Sequence, residues 1–299
     1  MQTCVKTRRL TKRYGDETAV NSIDLAVPEA AVYGFLGPNG AGKTTTLKML
    51  LGLVHPTEGQ MWLFNQVMNE TNRLSILRQV GSLIESPSYY GHLTARENLE
   101  IVRSLRQLPK SEIDAALNTV RLNHTGKKTA SKFSLGRKQR LGIAAALMGR
   151  PKLLLLDEPT NGLDPAGIQE MRELIRSLPG EYGMTVVVSS HLLSEIDQIA
   201  DYVGIIRHGE MVFQDTLPAL HALSTRNLVL RTDDDEKTLG LLHGERREGY
   251  VWLPYRADAD VANMSRLLAE SGIGIIRVEE RQEKLEDIFL AMTGTEADT

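Results

Sequence analysis

The segment from Gly37 to Thr44 reads Gly-Pro-Asn-Gly-Ala-Gly-Lys-Thr and fits the pattern G-x-x-x-x-G-K-[ST]. Phosphate oxygens need several hydrogen-bond donors at short range, and glycines let the backbone fold so that successive N–H groups point inward. Lys43 can reach the outer phosphates of a nucleoside triphosphate, the Thr44 hydroxyl can ligate Mg²⁺, and Thr45 offers a second hydroxyl. The predicted triphosphate-binding loop consists of Gly37, Pro38, Asn39, Gly40, Ala41, Gly42, Lys43, Thr44 and Thr45.

An apolar run that ends in two acids follows later in the chain. Lys152 is followed by four leucines and then by Asp157 and Glu158. Adjacent residues of a strand point to opposite faces, so Asp157 is placed to hold Mg²⁺ while Glu158 polarises a water in line with the terminal phosphate. A pair of solvated acids at the end of a strand is the alternative. Beside the glycine loop, the pattern favours hydrolysis with Glu158 as the catalytic base.

The N-terminal part of the chain predicts the strands and the helix that position the glycine loop. Segments 5–10 and 20–27 are β-rich and enclose the polar stretch 11–18, which predicts an antiparallel pair joined by a loop. Residues 30–36 predict a strand that runs into the glycine loop. Apolar residues at i, i+3, i+4 and i+7 over residues 47–54 predict a helix after it. The loop is therefore expected between a strand and a helix.

Residues 86–150 show helical periodicity with few strand signals, which predicts a helical insertion. Strand character returns at 153–156, 185–188 and 203–206, with a helical pattern between the last two. Strands that alternate with helices indicate a mainly parallel sheet covered on both faces. We therefore expect an α/β nucleotide-binding domain over residues 1–222.

A smaller unit is predicted after this domain. Its three short strands and closing helix are expected at residues 228–231, 250–253, 274–278 and 285–292. The acidic run 233–236 predicts a solvated turn. We expect residues 223–299 to form a small α+β accessory domain, and its sequence contains no recognisable chemistry.

The charge balance and the single cysteine narrow the class of protein. Lys and Arg number 35 against 38 Asp and Glu, for a formal net charge of −3. A nonspecific nucleic-acid binder would need a basic excess, so this balance argues against one. Cys4 has no partner for an internal disulfide, which favours a reducing cytosolic compartment. Because no apolar run approaches the roughly 20 residues that cross a bilayer, any membrane role requires a partner.

The order of these motifs over residues 3–220 resembles the nucleotide-binding subunits of ABC transporters. The resemblance implies a P-loop NTPase core of the ABC ATPase type, with an N-terminal antiparallel β subdomain and a helical subdomain at about 86–150. It also implies ATP and Mg²⁺ as cofactors. Since the chain has one glycine loop and one signature, each complete site would borrow its signature from a second copy, and a symmetric homodimer is the economical arrangement.

The most diagnostic of these motifs spans residues 133–137, Phe-Ser-Leu-Gly-Arg, and resembles the family signature Leu-Ser-Gly-Gly-Gln. Ser134 and Gly136 match its second and fourth positions, whereas Leu135 and Arg137 depart from its third and fifth. We expect Ser134 to cap the next helix, so that its hydroxyl, the Gly136 N–H and the helix dipole form a second anion site. Arg137 either adds a charge there or lies at the surface.

Three further residues match family elements. Tyr14 resembles the aromatic that stacks on adenine, and its alternative role is to cover the edge of a sheet. Asp164 closes Asn161-Gly-Leu-Asp, which resembles the loop that communicates between the two subunits. His191 matches the family's switch histidine, whose imidazole hydrogen-bonds the γ phosphate and orients the attacking water. The resemblance thus adds Tyr14 and Asp164 to the ATP-binding residues and His191 to the catalytic ones.

Glu85 departs from the glutamine that most family members have in a loop touching the membrane subunit. A carboxylate binds Mg²⁺ more strongly than an amide oxygen does, but it cannot donate a hydrogen bond and it repels phosphate. Glutamate here resembles the lantibiotic-immunity and bacitracin-resistance exporter ATPases, as does the ending at 285–294. The implied metal ligands are Thr44, Glu85 and Asp157, and a surface glutamate is the alternative for Glu85.

The resemblance implies an ATP-hydrolysing subunit that powers efflux through a separate integral-membrane permease, for protection against a lantibiotic or a similar peptide antibiotic. It places the chain in the cytoplasm, peripheral on the inner face of the cell membrane, and implies no nucleic-acid partner. One alternative is an exporter of another amphiphile. Another is a soluble ABC ATPase acting on nucleic acid or ribosomes, which would usually carry a second cassette, coiled-coil arms or basic extensions. The presence of Glu158 and His191 disfavours a catalytically silent regulator.

Overall fold

The computed structural model describes residues 2–247, 249–255, 257–282 and 285–294. They belong to two units, Met1–Leu217 and Pro218–Thr299. The strands of the first unit are β1 (Thr3–Tyr14), β2 (Glu17–Ile23), β3 (Ala26–Pro28), β4 (Val32–Leu36), β5 (Glu58–Leu63), β6 (Gln66–Val67), β7 (Val80–Leu83), β8 (Leu153–Asp157), β9 (Thr185–Ser190), β10 (Tyr202–Arg207) and β11 (Glu210–Thr216). Its helices are α1 (Lys43–Leu50), α2 (Arg73–Leu77), α3 (Ala95–Arg106), α4 (Ser111–Thr119), α5 (Leu135–Leu147), α6 (Pro165–Tyr182) and α7 (Leu193–Ile196), and α8 (Leu217–His221) crosses the boundary between the units.

The central sheet of the first unit has the strand order β11-β10-β4-β9-β8-β7. Its strands pair in parallel except for β11, which pairs antiparallel with β10 at one edge. Every residue of β8 and β9 is buried, as expected where a parallel sheet is covered on both faces. The predicted α/β fold is confirmed, and the sheet brings the carboxyl ends of β4, β8 and β9 to one edge.

The second sheet is antiparallel, with the order β2-β1-β5-β6 and β3 paired to β1. The loop predicted over residues 11–18 is wrong, because β1 continues to Tyr14 and only a two-residue turn separates it from β2. Lys12 pairs with Val20 in this ladder, and the buried Thr11 hydroxyl accepts a hydrogen bond from the backbone N–H of Ser22 at 3.0 Å. Backbone pairing thus holds a strand whose polar side chains suggested a loop.

The predicted helical insertion is confirmed in α3, α4 and α5. Helix α3 starts with a capping box, in which the Thr94 hydroxyl accepts from the Glu97 N–H and the Glu97 carboxylate accepts from the Thr94 N–H. Two helices outside the insertion are shorter than their apolar patterns predict. Helix α1 ends at Leu50, since Gly52 adopts a left-handed backbone with φ of 64°, and α7 ends at Ile196.

The second unit consists of β12 (Arg226–Thr232), β13 (Glu245–Arg247), β14 (Tyr250–Pro254), β15 (Ile275–Gln282), α9 (Asp235–Leu242), α10 (Asp258–Glu270) and α11 (Leu285–Thr293). Its strands form an antiparallel sheet in the order β13-β14-β12-β15. The turn predicted over residues 233–236 is wrong in part, because Asp235 begins α9. The Asp234 side chain caps this helix by accepting from the Lys237 N–H at 3.0 Å. Acidic side chains favour a helix N-terminus, so the run starts a helix.

In the ranges given above, no helix is both long enough and apolar enough to cross a membrane.

Candidate active site

The glycine loop, residues 37–44, joins β4 to α1. Gly42 has φ of 106°, in the left-handed region that favours glycine. A Cβ atom on Gly37 would lie 2.4 Å from the Ile206 carbonyl oxygen, and one on Gly42 would lie 2.5 Å from the Ala19 carbonyl oxygen. Gly42 is also the N-cap of α1 and contributes no side-chain acceptor, so the first N–H groups of this helix are left for an anion. The loop has the backbone geometry that a phosphate cradle requires.

The Lys43 side chain lies over this loop and is 6% exposed. Its ammonium group donates to the carbonyl oxygens of Gly37 at 2.6 Å and Pro38 at 3.2 Å. It also lies 3.5 Å from Glu158 Oε1. Burial lowers the pKa of Lys43, and the Glu158 carboxylate opposes that shift. The cation is therefore held beside the cradle by groups that a phosphate can replace.

Thr44 and Asp157 are brought together as predicted. Thr44 Oγ1 donates to Asp157 Oδ2 at 2.8 Å, while Ser189 Oγ donates to Asp157 Oδ1 at 2.5 Å. Asp157 is 3% exposed and pairs with Ser189 across β8 and β9. A hydroxyl and a carboxylate are the hard oxygen ligands that Mg²⁺ prefers, so this pair fits that metal. Thr45, the next residue of α1, is half-buried.

Glu158 lies outside strand β8. The direction of its side chain is therefore not set by the alternation of side chains along a strand, as the sequence had predicted. Strand β8 ends at Asp157, and Glu158 takes a left-handed backbone with φ of 48°. The Glu158 N–H donates to the Ser189 hydroxyl at 3.0 Å and to the Ser189 carbonyl oxygen at 3.2 Å. Its carboxylate then reaches His191, with 2.8 Å between Oε2 and Nδ1. A turn, and not the alternation of a strand, places this carboxylate between Lys43 and His191.

Glu85 makes a contact that the sequence did not predict. Its carboxylate accepts a hydrogen bond from Lys48 Nζ at 2.6 Å, and Lys48 lies one turn after Thr44 on α1. This bond raises the pKa of Lys48. Glu85 has a left-handed backbone with φ of 63°, and its side chain is exposed. Of the three predicted metal ligands, Thr44 and Asp157 are in contact, whereas the Glu85 carboxylate is bound to a lysine.

Tyr14 ends β1 with 49% of its surface exposed. Lys12 Nζ lies 4.9 Å from the centroid of its ring. A half-exposed ring at the end of a strand has surface available for stacking on a base.

The signature region forms the start of α5. Ser134 takes the extended N-cap conformation, but its hydroxyl accepts no hydrogen bond from the helix, so the predicted side-chain cap is not formed. Ser134 is exposed, Gly136 lies in the first turn, and Arg137 is half-buried. In contrast, Asp164 does cap α6, by accepting from the Gly167 N–H at 2.9 Å. The N-cap position of α5 thus keeps an exposed serine, which is what an external anion site needs.

Ser189 is the functional residue that sequence reasoning missed. It binds both the Asp157 carboxylate and the Glu158 N–H, and it is fully buried. The available signal was its position: two serines end an apolar strand immediately before His191. Polar residues at the carboxyl end of a parallel strand face the edge where ligands bind.

The ABC transporter family matches residues 20–161. The bacitracin transport ATP-binding protein BcrA of Bacillus licheniformis is 42% identical over 303 residues, covering 98% of this chain and 98% of that protein. The lantibiotic transport ATP-binding protein SrtF of Streptococcus pyogenes is 44% identical over 210 residues, covering 70% of this chain and 90% of that protein. The dimeric structure of a post-hydrolysis state of the ATP-binding cassette MJ0796 bound to ADP and Pi is 26% identical, with a TM-score of 0.64, and covers 71% of this chain and 98% of that one.

These likenesses agree with the geometry of the site. The family match includes the glycine loop and both acids, and the match to BcrA runs through the second unit as well. The structural likeness covers 71% of this chain. The chain belongs to the ATP-binding proteins of ABC transporters and is an ATP hydrolase of that type.

Proposed function

We propose that this protein is the ATP-hydrolysing subunit of an ABC exporter that removes a lantibiotic or a similar peptide antibiotic from the cell. Hydrolysis is supported by the contact between Glu158 Oε2 and His191 Nδ1 at 2.8 Å. Lys43 Nζ lies 3.5 Å from the other oxygen of the same carboxylate. The antibiotic class is supported by the names of BcrA and SrtF and by Glu85, a glutamate where most family members have glutamine.

The residues of the loop bind and orient the triphosphate. Backbone N–H groups of residues 37–44 and the Lys43 ammonium bind the phosphate oxygens, and the half-exposed Tyr14 stacks on the adenine. Thr44 and Asp157 would hold Mg²⁺, with Glu85 as a further ligand once it leaves Lys48. When bound there, the metal would supply positive charge that offsets the negative charge developing on the phosphate.

Glu158 acts as the general base in this proposal. Its carboxylate accepts a proton from the attacking water, and its hydrogen-bonded neighbour His191 keeps that carboxylate aimed at the water and contacts the γ phosphate. The contact with Ser189 through the Glu158 N–H fixes the turn from which the carboxylate projects. These groups are preorganised before nucleotide arrives, so little reorganisation is needed for the reaction.

Two copies complete the sites by exchanging their signatures. The exposed Ser134 hydroxyl, together with the Gly136 N–H at the start of α5, would meet the γ phosphate held by the second copy, and Asp164 would lie in the loop between them. The dimeric cassette among the solved structures supports this arrangement. Binding of ATP closes the dimer and hydrolysis releases it.

A separate integral-membrane permease would carry the substrate, with this chain peripheral on the cytoplasmic face of the cell membrane. Residues 1–222 would form the ATP-binding domain and residues 223–299 an accessory domain. The printed names of the relatives describe transport, which favours this partner over nucleic acid or ribosomes. Export of another amphiphile is the alternative within the same class.

The variant Glu158→Gln tests both the proposed dimer and the role of Glu158 as the general base. The substitution keeps the size of the side chain but removes its basicity, so we expect ATP binding to persist while hydrolysis falls by about 10² to 10⁴. Because closed dimers then accumulate, sedimentation of the variant with ATP should show twice the monomer mass, and Lys43→Ala should show monomer only. Normal turnover by Glu158→Gln would remove Glu158 from this role.

The export proposal needs a cellular test. The membrane protein that copurifies with the chain from detergent extract is expressed with it in a sensitive bacterium, and growth is measured against bacitracin and a lantibiotic. We expect resistance that disappears with Glu158→Gln. Unchanged sensitivity, or copurification with nucleic acid in place of a membrane protein, would contradict the proposal.

A further inference from the structure

One buried carboxylate lies outside the groups used so far. Glu195, on the short helix α7, is 6% exposed. Within the described ranges of the chain, no lysine, arginine or histidine forms an ion pair with it. A carboxylate without a cation in a protein interior is costly unless other donors satisfy it. The residues that donate hydrogen bonds to such a buried carboxylate therefore indicate its structural role.

Two hydroxyls donate to this carboxylate. Thr160 Oγ1 donates to Glu195 Oε2 at 2.6 Å, and Ser190 Oγ donates to the same oxygen at 3.2 Å. The shorter distance falls in the range of charge-assisted O–H···O⁻ bonds. Both hydroxyl residues are buried, Thr160 at 6% and Ser190 at 1% exposure. The Ser190 hydroxyl also accepts from the Leu192 N–H at 3.0 Å, which fixes the chain on the far side of His191.

The two hydroxyls come from the segments that carry the catalytic pair. Thr160 lies two residues after Glu158, and Ser190 immediately precedes His191. Ser189 already ties these segments together through the Glu158 N–H. Glu195 ties them a second time, through Thr160 after Glu158 and through Ser190 before His191. With two such contacts, the turn that carries Glu158 has little freedom to move, so the direction of the Glu158 carboxylate is restricted.

We propose that Glu195 is a positioning residue for ATP hydrolysis: through Thr160 and Ser190 it fixes the spacing between Glu158 and His191. The inference rests on the proposed roles of those two residues. The Glu195 carboxylate is buried and accepts hydrogen bonds from Thr160 and Ser190, so it would act through them rather than on the nucleotide. Its contribution is to the turnover rate, because a base displaced by about 1 Å can lose up to about 100-fold in rate.

The test is a double-mutant cycle with Glu195→Met and His191→Ala in the full-length chain. Methionine matches the size of glutamate but accepts no strong hydrogen bond. We expect Glu195→Met to lower the turnover number about 10- to 100-fold with the ATP dissociation constant within about twofold of wild type. In the His191→Ala background the same substitution should change turnover by less than about twofold, since there is no longer a pair to position.

Three further variants distinguish a positioning role of Glu195 from a role in folding. Thr160→Val, which keeps the shape and removes the hydroxyl, should reproduce the loss, and Thr160→Ser should restore turnover. Ser194→Ala, at an exposed neighbour on α7, is the matched control and should leave turnover unchanged. Equal losses in both His191 backgrounds, or normal turnover in Glu195→Met and Thr160→Val, would overturn the inference. Absence of turnover in the wild-type chain would instead contradict the proposed function.

Discussion

At Glu85, the proposed role as a Mg²⁺ ligand would place a metal ion in competition with Lys48 for one carboxylate. Lys48 donates to Glu85 Oε1 at 2.6 Å and is about one-third exposed, so solvent screens the pair. Exposed pairs of this kind contribute about 0.2 to 1 kcal/mol. In the proposed role, Mg²⁺ would displace this weak bond. A glutamine would bind both Lys48 and Mg²⁺ more weakly than the glutamate does, so the competition depends on the carboxylate.

The competition predicts opposite shifts in Mg²⁺ dependence. Lys48→Met frees the carboxylate, so the Mg²⁺ concentration for half-maximal ATPase should fall about two- to fivefold. Glu85→Gln removes the better ligand and should raise that concentration while basal turnover at saturating Mg²⁺ is preserved. Both are measured by titrating Mg²⁺ at fixed ATP.

Lys48→Arg keeps a cation beside Glu85 and is the control, for which we expect the wild-type dependence. In the Glu85→Gln background, Lys48→Met should have no further effect. A Lys48→Met shift that survives this background would show that the lysine acts on the metal by another route.

At the scale of elements, the glycine loop is packed against β2 of the antiparallel sheet and β10 of the central sheet. Gly42 combines a φ of 106° with a Cβ position 2.5 Å from the Ala19 carbonyl oxygen. A substitution would therefore strain the backbone and also push β2 away from the loop. Gly183, at the end of α6, has a left-handed φ of 64° but no neighbour within 4 Å of its Cβ position. Substitutions at Gly42 and Gly183 therefore distinguish backbone strain combined with steric displacement from backbone strain alone.

We expect Gly42→Ala to lower the free energy of unfolding by about 2 to 4 kcal/mol, from strain and overpacking together, and to abolish ATP binding. Gly183→Ala should cost only about 1 kcal/mol, from strain alone, and leave binding intact. Denaturant unfolding and equilibrium ATP titration measure the two effects. Similar stability losses for both variants would show that the contact with Ala19 relaxes without cost.

Sequence patterns predicted the strands whose residues are all buried. They missed segments and contacts that depend on residues distant in the sequence. The leucines of β8 are continuously apolar, and the strand lies where they predict it. The polar end of β1, residues 11–14, is ordered by its ladder with β2, which local composition does not report. Likewise, Ser189 contacts Asp157 and Glu195 contacts Thr160, and each of these partners lies more than 30 positions away. Motifs identified Lys43, Thr44, Asp157 and Glu158, but not what holds them in place.

At the scale of the whole molecule, Cys4 links the fold of the first unit to pH. It is 2% exposed in the hydrophobic core formed around β1 and β4. Burial disfavours the thiolate and raises the pKa of Cys4 from 9.0 to about 11. The unfolded chain loses this proton near pH 9, whereas the folded chain retains it until about pH 11. Burial also raises the pKa of Tyr33, which acts in the same direction at higher pH.

The direction in which pH changes the free energy of unfolding follows from the number of protons that each state binds. Between pH 9 and pH 11 the folded state binds more protons than the unfolded state, so the free energy of unfolding falls as pH rises, by about 3 kcal/mol in total from Cys4. Below pH 9 this contribution is constant. Cys4→Ala has no thiol to ionise, so the stability difference between wild type and Cys4→Ala should shrink over this window. It is measured by denaturant unfolding in reductant at several pH values, and a difference that stays constant would mean that the thiolate is accommodated in the folded core.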